Sequence, residues 1–190
     1  MAPELSEDEI DDLIYFARAG EQSDLDELLS TLAAREGVSP VEILLAAKDE
    51  TKSTCLHMAT GNGHLEIIKS LLEHFKSRPR EEKQTFLDAP NEFGNTGLHW
   101  ASLGGHLEIV KLLVENGASP VLANDKDQVP LDLAAFNDKV DVVDYFLSQS
   151  KNLESENSDG LSGTAEGVDL GDGGERASEV AGEAKEGSSQ

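Results

Sequence analysis

The feature that most constrains the fold of this chain is a stretch of 20 residues that occurs twice. Residues 54–73 return as residues 96–115, with 12 identical positions at an offset of 42. A weaker third copy covers residues 129–148, at an offset of 33 from the second. Self-similarity near 33 residues indicates stacked copies of one small unit, because a single unit of this size cannot bury its apolar face alone.

The copies share two short motifs. Residues 54–57 and 96–99 read Thr-x-Leu-His, and a Gly-His pair recurs at residues 63–64 and 105–106. These motifs resemble the ankyrin-repeat family, in which each unit is a β-turn followed by two helices. The resemblance implies an all-α repeat solenoid of about four units, including degenerate end units. It also implies a binding surface, because stacked repeats supply no chemistry of their own.

Helical spacing and composition divide the chain into a repeat domain, residues 1–150, and a tail. The domain contains an N-terminal cap, two repeats and a C-terminal cap repeat, at residues 6–48, 49–90, 91–123 and 124–150 respectively. The tail, residues 151–190, holds ten acidic and three basic residues and eight glycines. Such a composition cannot bury enough apolar surface to offset the entropy of ordering, so we predict an acidic disordered tail.

Each motif residue has an expected structural role. The threonine hydroxyl can satisfy backbone groups at the helix start, and the glycine permits a positive φ or a close approach of two helices. The histidine can hydrogen-bond to the backbone of a neighbouring unit. We expect the motif leucines to be buried between layers; these are Leu56, Leu98 and Leu131.

Residues 74–87 make the first full repeat nine residues longer than the standard unit, and they contain the only basic-leaning stretch of the chain. We predict an exposed loop, or an extension of the preceding helix that ends before Pro79. A contact for an acidic partner element is the functional alternative.

The net charge of −23, from 38 acidic and 15 basic residues, argues against direct binding to nucleic acid or anionic membranes. It favours either capture of a basic partner or simply a soluble surface. The single cysteine, Cys55, excludes an internal disulfide, and the acidic N-terminus is unlike a signal peptide. We therefore expect a cytoplasmic and nuclear protein.

Sequence motifs for catalysis are missing, so we predict no enzymatic activity and no cofactor. Four histidines, at positions 57, 64, 99 and 106, raise the question of a metal site. No cysteine or acidic partner completes a ligand set at suitable spacing, and all four coincide with repeat positions. We interpret them as structural and predict no metal.

In the ankyrin family the partner usually meets the turn tips and the exposed face of the first helices, which implies a partner-binding set here. The matching residues are Glu50, Thr51, Ser53 and Asn62; then Glu92, Phe93, Asn95, Trp100 and Leu103; then Asp125, Lys126, Gln128, Phe136 and Asn137. Aromatic anchors surrounded by carboxylates suit a basic amphipathic helix laid in a groove. For Trp100 a second interpretation stays open, namely packing between repeats.

A longer stretch, residues 94–113, with residues 17–20 and 56–64, resembles the fungal ankyrin-repeat chaperones dedicated to the KH-domain ribosomal protein of the small-subunit head. The resemblance implies a chaperone that binds this newly made basic protein one to one, as a monomer, and escorts it toward ribosome assembly. A general ankyrin adaptor for a kinase or transcription factor is the alternative. Gly97 and Cys55 depart from the family pattern, which has proline there.

Overall fold

The computed structural model describes residues 2–161, and these residues form ten α-helices and no strand, which confirms the predicted all-α repeat fold. A compact unit comprises Met1–Leu153. The helices are α1 (Glu7–Ala19), α2 (Gln22–Glu36), α3 (Pro40–Ala46), α4 (Cys55–Asn62), α5 (Leu65–Glu73), α6 (Arg80–Leu87), α7 (Gly97–Gly104), α8 (Leu107–Glu115), α9 (Pro130–Phe136) and α10 (Val140–Leu161). Among residues 2–161 no helix combines the length and the apolarity needed to cross a bilayer.

Four first helices, α1, α4, α7 and α9, pack successively on one another, and α2, α5, α8 and α10 follow them as second helices. Leu56 and Leu98 occupy equivalent places between the layers and are at most 1% exposed, as predicted. Leu131 is only half-buried, so the expectation of full burial is wrong for this residue. It lies in the last repeat that the structure describes, and within residues 2–161 no further helix pair follows to cover it.

The motif residues start and end the first helices as their chemistry predicts. Nδ1 of His57 accepts a hydrogen bond of 3.1 Å from the Thr54 amide, and His99 does the same for Thr96. Gly63 and Gly105 end α4 and α7 in the left-handed region, with φ of 79° and 77°. Because other residues rarely adopt this region, glycine is the natural residue for the turn into the second helix.

The segment 74–87 differs from both structural predictions made for it. The second helix, α5, ends at Glu73 and does not extend to Pro79. Pro79 instead precedes a separate helix, α6. Phe75 and Phe86 stack with ring centroids 4.7 Å apart, and both side chains are at most 2% exposed. Through these two rings the segment is part of the core. Its contact with an acidic partner remains a prediction.

Helix α10 extends to Leu161, through eleven residues for which the sequence predicted disorder. Val142 and Phe146 are buried and hold its first turns against the repeat domain. Once a helix is anchored in this way, each further residue adds one hydrogen bond, so a polar composition that prevents burial does not prevent continuation. The rest of the predicted tail, residues 162–190, lies outside the described residues.

Candidate protein-binding surface

Three turn tips precede α4, α7 and α9, and each is built around one side chain. Oδ1 of Asp49, Asn91 and Asn124 accepts hydrogen bonds of 2.8–3.0 Å from the backbone amides two and four residues later. This local bonding holds the turn in one conformation without help from a partner. Sequence reasoning missed these three residues, although they recur at the same offsets of 42 and 33 as the rest of the repeat.

Backbone and histidine hydrogen bonds then join each repeat to the next. The Glu92 amide donates to the Thr51 carbonyl at 2.8 Å, and the Asp125 amide donates to the Phe93 carbonyl at 3.1 Å. Nε2 of His57 donates to the Asn95 carbonyl at 2.9 Å, and Nε2 of His99 donates to the Gln128 carbonyl at 3.0 Å. The tips are therefore fixed relative to one another before any partner arrives.

His64 and His106 also bond to backbone carbonyls, of Arg18 at 2.7 Å and of Gly61 at 3.3 Å. All four histidines considered as metal ligands thus bond to an adjacent unit, which supports the structural interpretation. Within residues 2–161 no group of three or more metal-ligating side chains comes together. Cys55 is buried, and burial raises the pKa of its thiol to about 12, so it acts as a small apolar side chain.

Burial of His57 and His99 predicts that the fold loses stability in mild acid. Burial lowers the pKa of both rings below the ordinary value of 6.5, so the unfolded chain takes up protons first as the pH falls. The free energy of unfolding is then fully retained above about pH 7 and decreases as the pH falls through 6.5. Urea unfolding at several pH values between about 7.5 and 5.5 measures the effect.

The double variant His57→Asn/His99→Asn should be less stable than the wild type at every pH. Its free energy of unfolding should also change less steeply with pH in this range. The pKa values of some carboxyl groups, such as Glu36 and Glu42, are lowered below their ordinary value of 4.5. These groups therefore protonate below the pH range of the measurement and do not contribute to the slope. An equal slope in the wild type and the double variant would assign the acid sensitivity to other groups.

The predicted partner-binding residues differ in their exposure. Eight are exposed: Glu50, Asn62, Glu92, Phe93, Asp125, Lys126, Phe136 and Asn137. Five are half-buried: Thr51, Asn95, Trp100, Leu103 and Gln128. Together these thirteen residues belong to the tips, to α4, α7 and α9, and to the C-cap of α9 (Asn137). With the exposed residues of α1 they form what we call the first-helix face.

Ser53 is wrongly placed in the predicted set, because it is only 3% exposed. Its amide donates to Asp49 Oδ1 at 2.8 Å, and its hydroxyl lies 2.9 Å from that of Thr51. These bonds turn the side chain into the tip. Ser53 therefore shapes the turn and is not available to a partner.

Trp100 packs between repeats, as one of its two interpretations proposed. A Cβ on Gly61 would lie 3.5 Å from the Trp100 ring, an ordinary van der Waals distance, so the indole packs against the preceding first helix. Its Nε1 is buried without a hydrogen-bond partner, while the residue as a whole is half-buried. The ring thus has a structural role, and its contact with a partner stays a prediction.

Sequence reasoning also missed the part of the face contributed by α1, which it treated only as a cap. Tyr15 is 55% exposed on this helix, comparable with Phe93 at 57% and Phe136 at 72%. The helix packs directly on α4, and the thiol of Cys55 donates to the Leu13 carbonyl at 3.5 Å. The signal was available, since the glycine that ends α1 matches those that end α4 and α7.

Repeated helix pairs, preformed tips and an exposed first-helix face together define a protein-binding module of the ankyrin class. The family model for ankyrin repeats (3 copies) matches residues 81–157, and the model for a single ankyrin repeat matches residues 51–79. This chain belongs to the ankyrin-repeat family.

One similar solved structure is the crystal structure of the yeast ribosomal protein Rps3 in complex with its chaperone Yar1. The match has a TM-score of 0.70 and 36% identity, and it covers 77% of this chain and 95% of that chain. The ankyrin repeat-containing protein YAR1 of Saccharomyces cerevisiae is 38% identical over 69 residues, 36% of this chain and 32% of the relative.

A second curated relative is the ankyrin repeat-containing protein P16F5.05c of Schizosaccharomyces pombe. It is 34% identical over 66 residues, 35% of this chain and 39% of the relative. The chain thus spans about a third of the length of the curated relatives it matches.

Proposed function

We propose that this chain is a dedicated chaperone of the ribosomal protein that corresponds to yeast Rps3, a basic protein of the small-subunit head. It binds this client when newly made, one to one, keeps it soluble and escorts it toward ribosome assembly. The observation that carries the proposal is the match at 36% identity over 95% of a chain in the complex of Rps3 with its chaperone Yar1.

The charge of the chain supports this proposal independently. A free ribosomal protein is cationic and binds RNA non-specifically, and a chain with a net charge of −23 offsets that charge. The exposed carboxylates of Glu50, Glu92 and Asp125 lie on the three tips, and the second tip also carries the exposed ring of Phe93. Carboxylates around an aromatic anchor can hold a basic amphipathic segment and shield it from RNA.

The mechanism needs only binding and release, so we propose that the protein has no catalytic step, no cofactor and no direct contact with nucleic acid or membrane. A client made in the cytoplasm and assembled in the nucleus requires a chaperone present in both compartments. We propose that localisation for this protein.

The test is the affinity of the purified chain for its own organism's counterpart of Rps3, measured by titration calorimetry at about 50 mM and 300 mM salt. Binding driven by exposed charges weakens with salt, because the Debye length falls from about 14 Å to about 6 Å over this range. We expect tight binding at low salt and a loss of affinity of tenfold or more. A general ankyrin adaptor would instead show no binding to this client.

Charge reversal at two tips should weaken client binding without unfolding the chain. Glu92 and Asp125 are exposed, and their carboxylates form no ion pair within the described residues. We expect Glu92→Lys/Asp125→Lys to lower the affinity about tenfold at low salt, with a melting temperature close to that of the wild type.

The matched control for this change is Asp24→Lys/Glu27→Lys on α2, where both residues are exposed and belong to a second helix. It changes the net charge of the protein equally, but away from the tips. Equal weakening by both variants would show that only the net charge matters and that the client does not contact the tips.

A further inference from the structure

The basic residues of this acidic chain are concentrated around the inserted helix α6. Residues 69–83 contain five basic and three acidic residues, whereas the rest of the chain contains ten basic and 35 acidic residues. Four of the five line one cleft of about 440 Å³, between the end of α5, helix α6 and the end of α8. These four are Lys76, Arg78, Arg80 and Lys83, and we call the cleft the α6 cleft.

Two of these cations are held in place while part of their hydrogen-bonding capacity stays free. Nε of Arg78 donates to Oε2 of Glu82 at 2.7 Å, and within residues 2–161 its two Nη groups make no hydrogen bond. Nζ of Lys83 donates to Oδ1 of Asn116 at 3.1 Å, which uses one of its three donors. Both side chains are half-buried. Because they are already positioned, they lose little freedom when an anion binds.

The other two cations stand at the rim of the cleft, and both are exposed. Arg80 forms no ion pair within the described residues. Lys76 pairs with Glu73 at 2.6 Å, but an exposed pair of this kind contributes little and can exchange for another carboxylate. The lining itself contains a single carboxylate, that of Glu115. A ligand in the cleft therefore meets four cations and one anion.

The local helix ends explain some of these cations but not Arg80. The carboxyl end of a helix is negative, which favours Lys76 just beyond α5 and Lys83 beside the end of α8. Arg80 is instead the first residue of α6, where the helix end is positive and a cation is unfavourable. A residue placed against its local preference indicates a role other than stabilising its own helix.

The extent of the positive charge favours a short acidic peptide over a nucleic acid. Duplex DNA carries one charge about every 1.7 Å along its axis, so a nucleic acid would continue past the cleft onto the acidic surface around it. A peptide with a few carboxylates can end within the cleft. Its volume also lies in the range of about 300–1,000 Å³ that is usual for ligand sites.

We propose that the α6 cleft binds a short segment rich in aspartate or glutamate from a second protein. None of the predicted partner-binding residues lines this cleft, which is formed by the ends of two second helices and by α6. The first-helix face therefore stays free when the cleft is occupied. This inference goes beyond the proposed function, because it gives the chain a second, chemically opposite partner.

The direct test is titration of the full chain with two eight-residue peptides. One contains four aspartates among glycines and serines, and the other has asparagine at the same four positions. At about 100 mM salt the Debye length is about 10 Å, so distant carboxylates of the chain are largely screened. We expect the aspartate peptide to bind at least about tenfold more tightly. It should shift the amide NMR signals of residues 75–83 and 115–117.

Equal affinity for the two peptides, or binding of neither, overturns the inference. Signal shifts confined to other residues overturn it as well. An eight-nucleotide RNA that binds the cleft more tightly than the aspartate peptide would show that the cleft recognises phosphates of a nucleic acid, and it too overturns the inference.

A pair of substitutions tests the cations themselves. Arg80→Gln/Lys83→Gln should lower the affinity for the aspartate peptide by about fivefold or more. The matched control is Lys52→Gln/Lys126→Gln, which removes two exposed cations from the tips and should leave the affinity unchanged. Circular dichroism checks that both variants fold, and Arg80→Gln alone, at an exposed position, should still weaken binding. Unchanged affinity of both cleft variants contradicts the inference.

Client binding separates this inference from the proposed function. The Arg80→Gln/Lys83→Gln variant should bind the Rps3 counterpart at least as tightly as the wild type, because it is more acidic and its first-helix face is intact. If client binding weakens instead, the cleft belongs to the client's site and the inference of a second partner is wrong. If the wild type does not bind the client, the proposed function fails, and the peptide titration still decides the chemistry of the cleft.

Discussion

Replacing Phe93 and Phe136 together by alanine is expected to lower the affinity for the ribosomal client by at least about 30-fold. The two rings are 57% and 72% exposed, so the free chain gains little stability from them. An aromatic anchor that becomes buried on binding contributes about 2 kcal/mol or more, and 1.4 kcal/mol corresponds to a tenfold change in affinity. Titration calorimetry measures the affinity, and thermal unfolding should show a melting temperature close to that of the wild type.

The control for this prediction is Leu147→Ala. Leu147 is 45% exposed on the second helix α10 and therefore presents a comparable apolar side chain away from the first-helix face. It should bind the client as the wild type does. If the double phenylalanine variant retains full affinity, the client does not use the aromatic residues of this face, and the tips must be reconsidered as the site.

The largest expected effect on stability comes from Phe86→Ala in the inserted helix α6. Phe86 is 1% exposed and stacks on Phe75, so truncation removes apolar contacts and leaves a cavity. Such changes cost about 3–5 kcal/mol, a large part of the 5–15 kcal/mol by which a domain is usually stable. We expect the melting temperature to fall by roughly 6–20 °C. Urea unfolding followed by circular dichroism gives the free energy of unfolding.

The neighbouring substitution Thr85→Ala provides the comparison, because Thr85 lies on the same helix and is exposed. Its effect should stay within about 0.5 kcal/mol. If the two variants unfold alike, α6 does not share the core of the repeats, and the segment between Glu73 and Ala89 is an appendage.

The fold could be predicted because two repeats have similar amino-acid sequences. The Thr54 amide donates a hydrogen bond to Nδ1 of His57, and the Thr96 amide does the same to His99. Because this bond is local, the same motif produces the same helix start in both repeats. The insertion could not be predicted in this way. Its charged residues dominate the composition, and only the packing of Phe75 on Phe86 shows that the segment is buried.

The candidate site was predictable by position but not by side-chain direction. Phe93 and Phe136 are exposed as expected, whereas Ser53 bonds into its own turn through Asp49 and Thr51. Such local competition for hydrogen bonds depends on atomic geometry that a repeat alignment does not contain. The role of α1 escaped for a different reason, since Gly20 matches Gly63 and Gly105 but the Thr-x-Leu-His motif of α4 and α7 is missing before it.

The bridges that His57 and His99 form between adjacent repeats also bear on how the molecule unfolds. Loss of the ring of His57 or His99 leaves a carbonyl of the next unit without its donor, so each unit depends energetically on its neighbour. In linear repeat arrays such coupling between neighbours determines whether units melt singly or together. Partial melting from one end, which would expose apolar helix faces to proteases and to aggregation, is suppressed as long as both rings keep their Nε2–H bonds to the next unit.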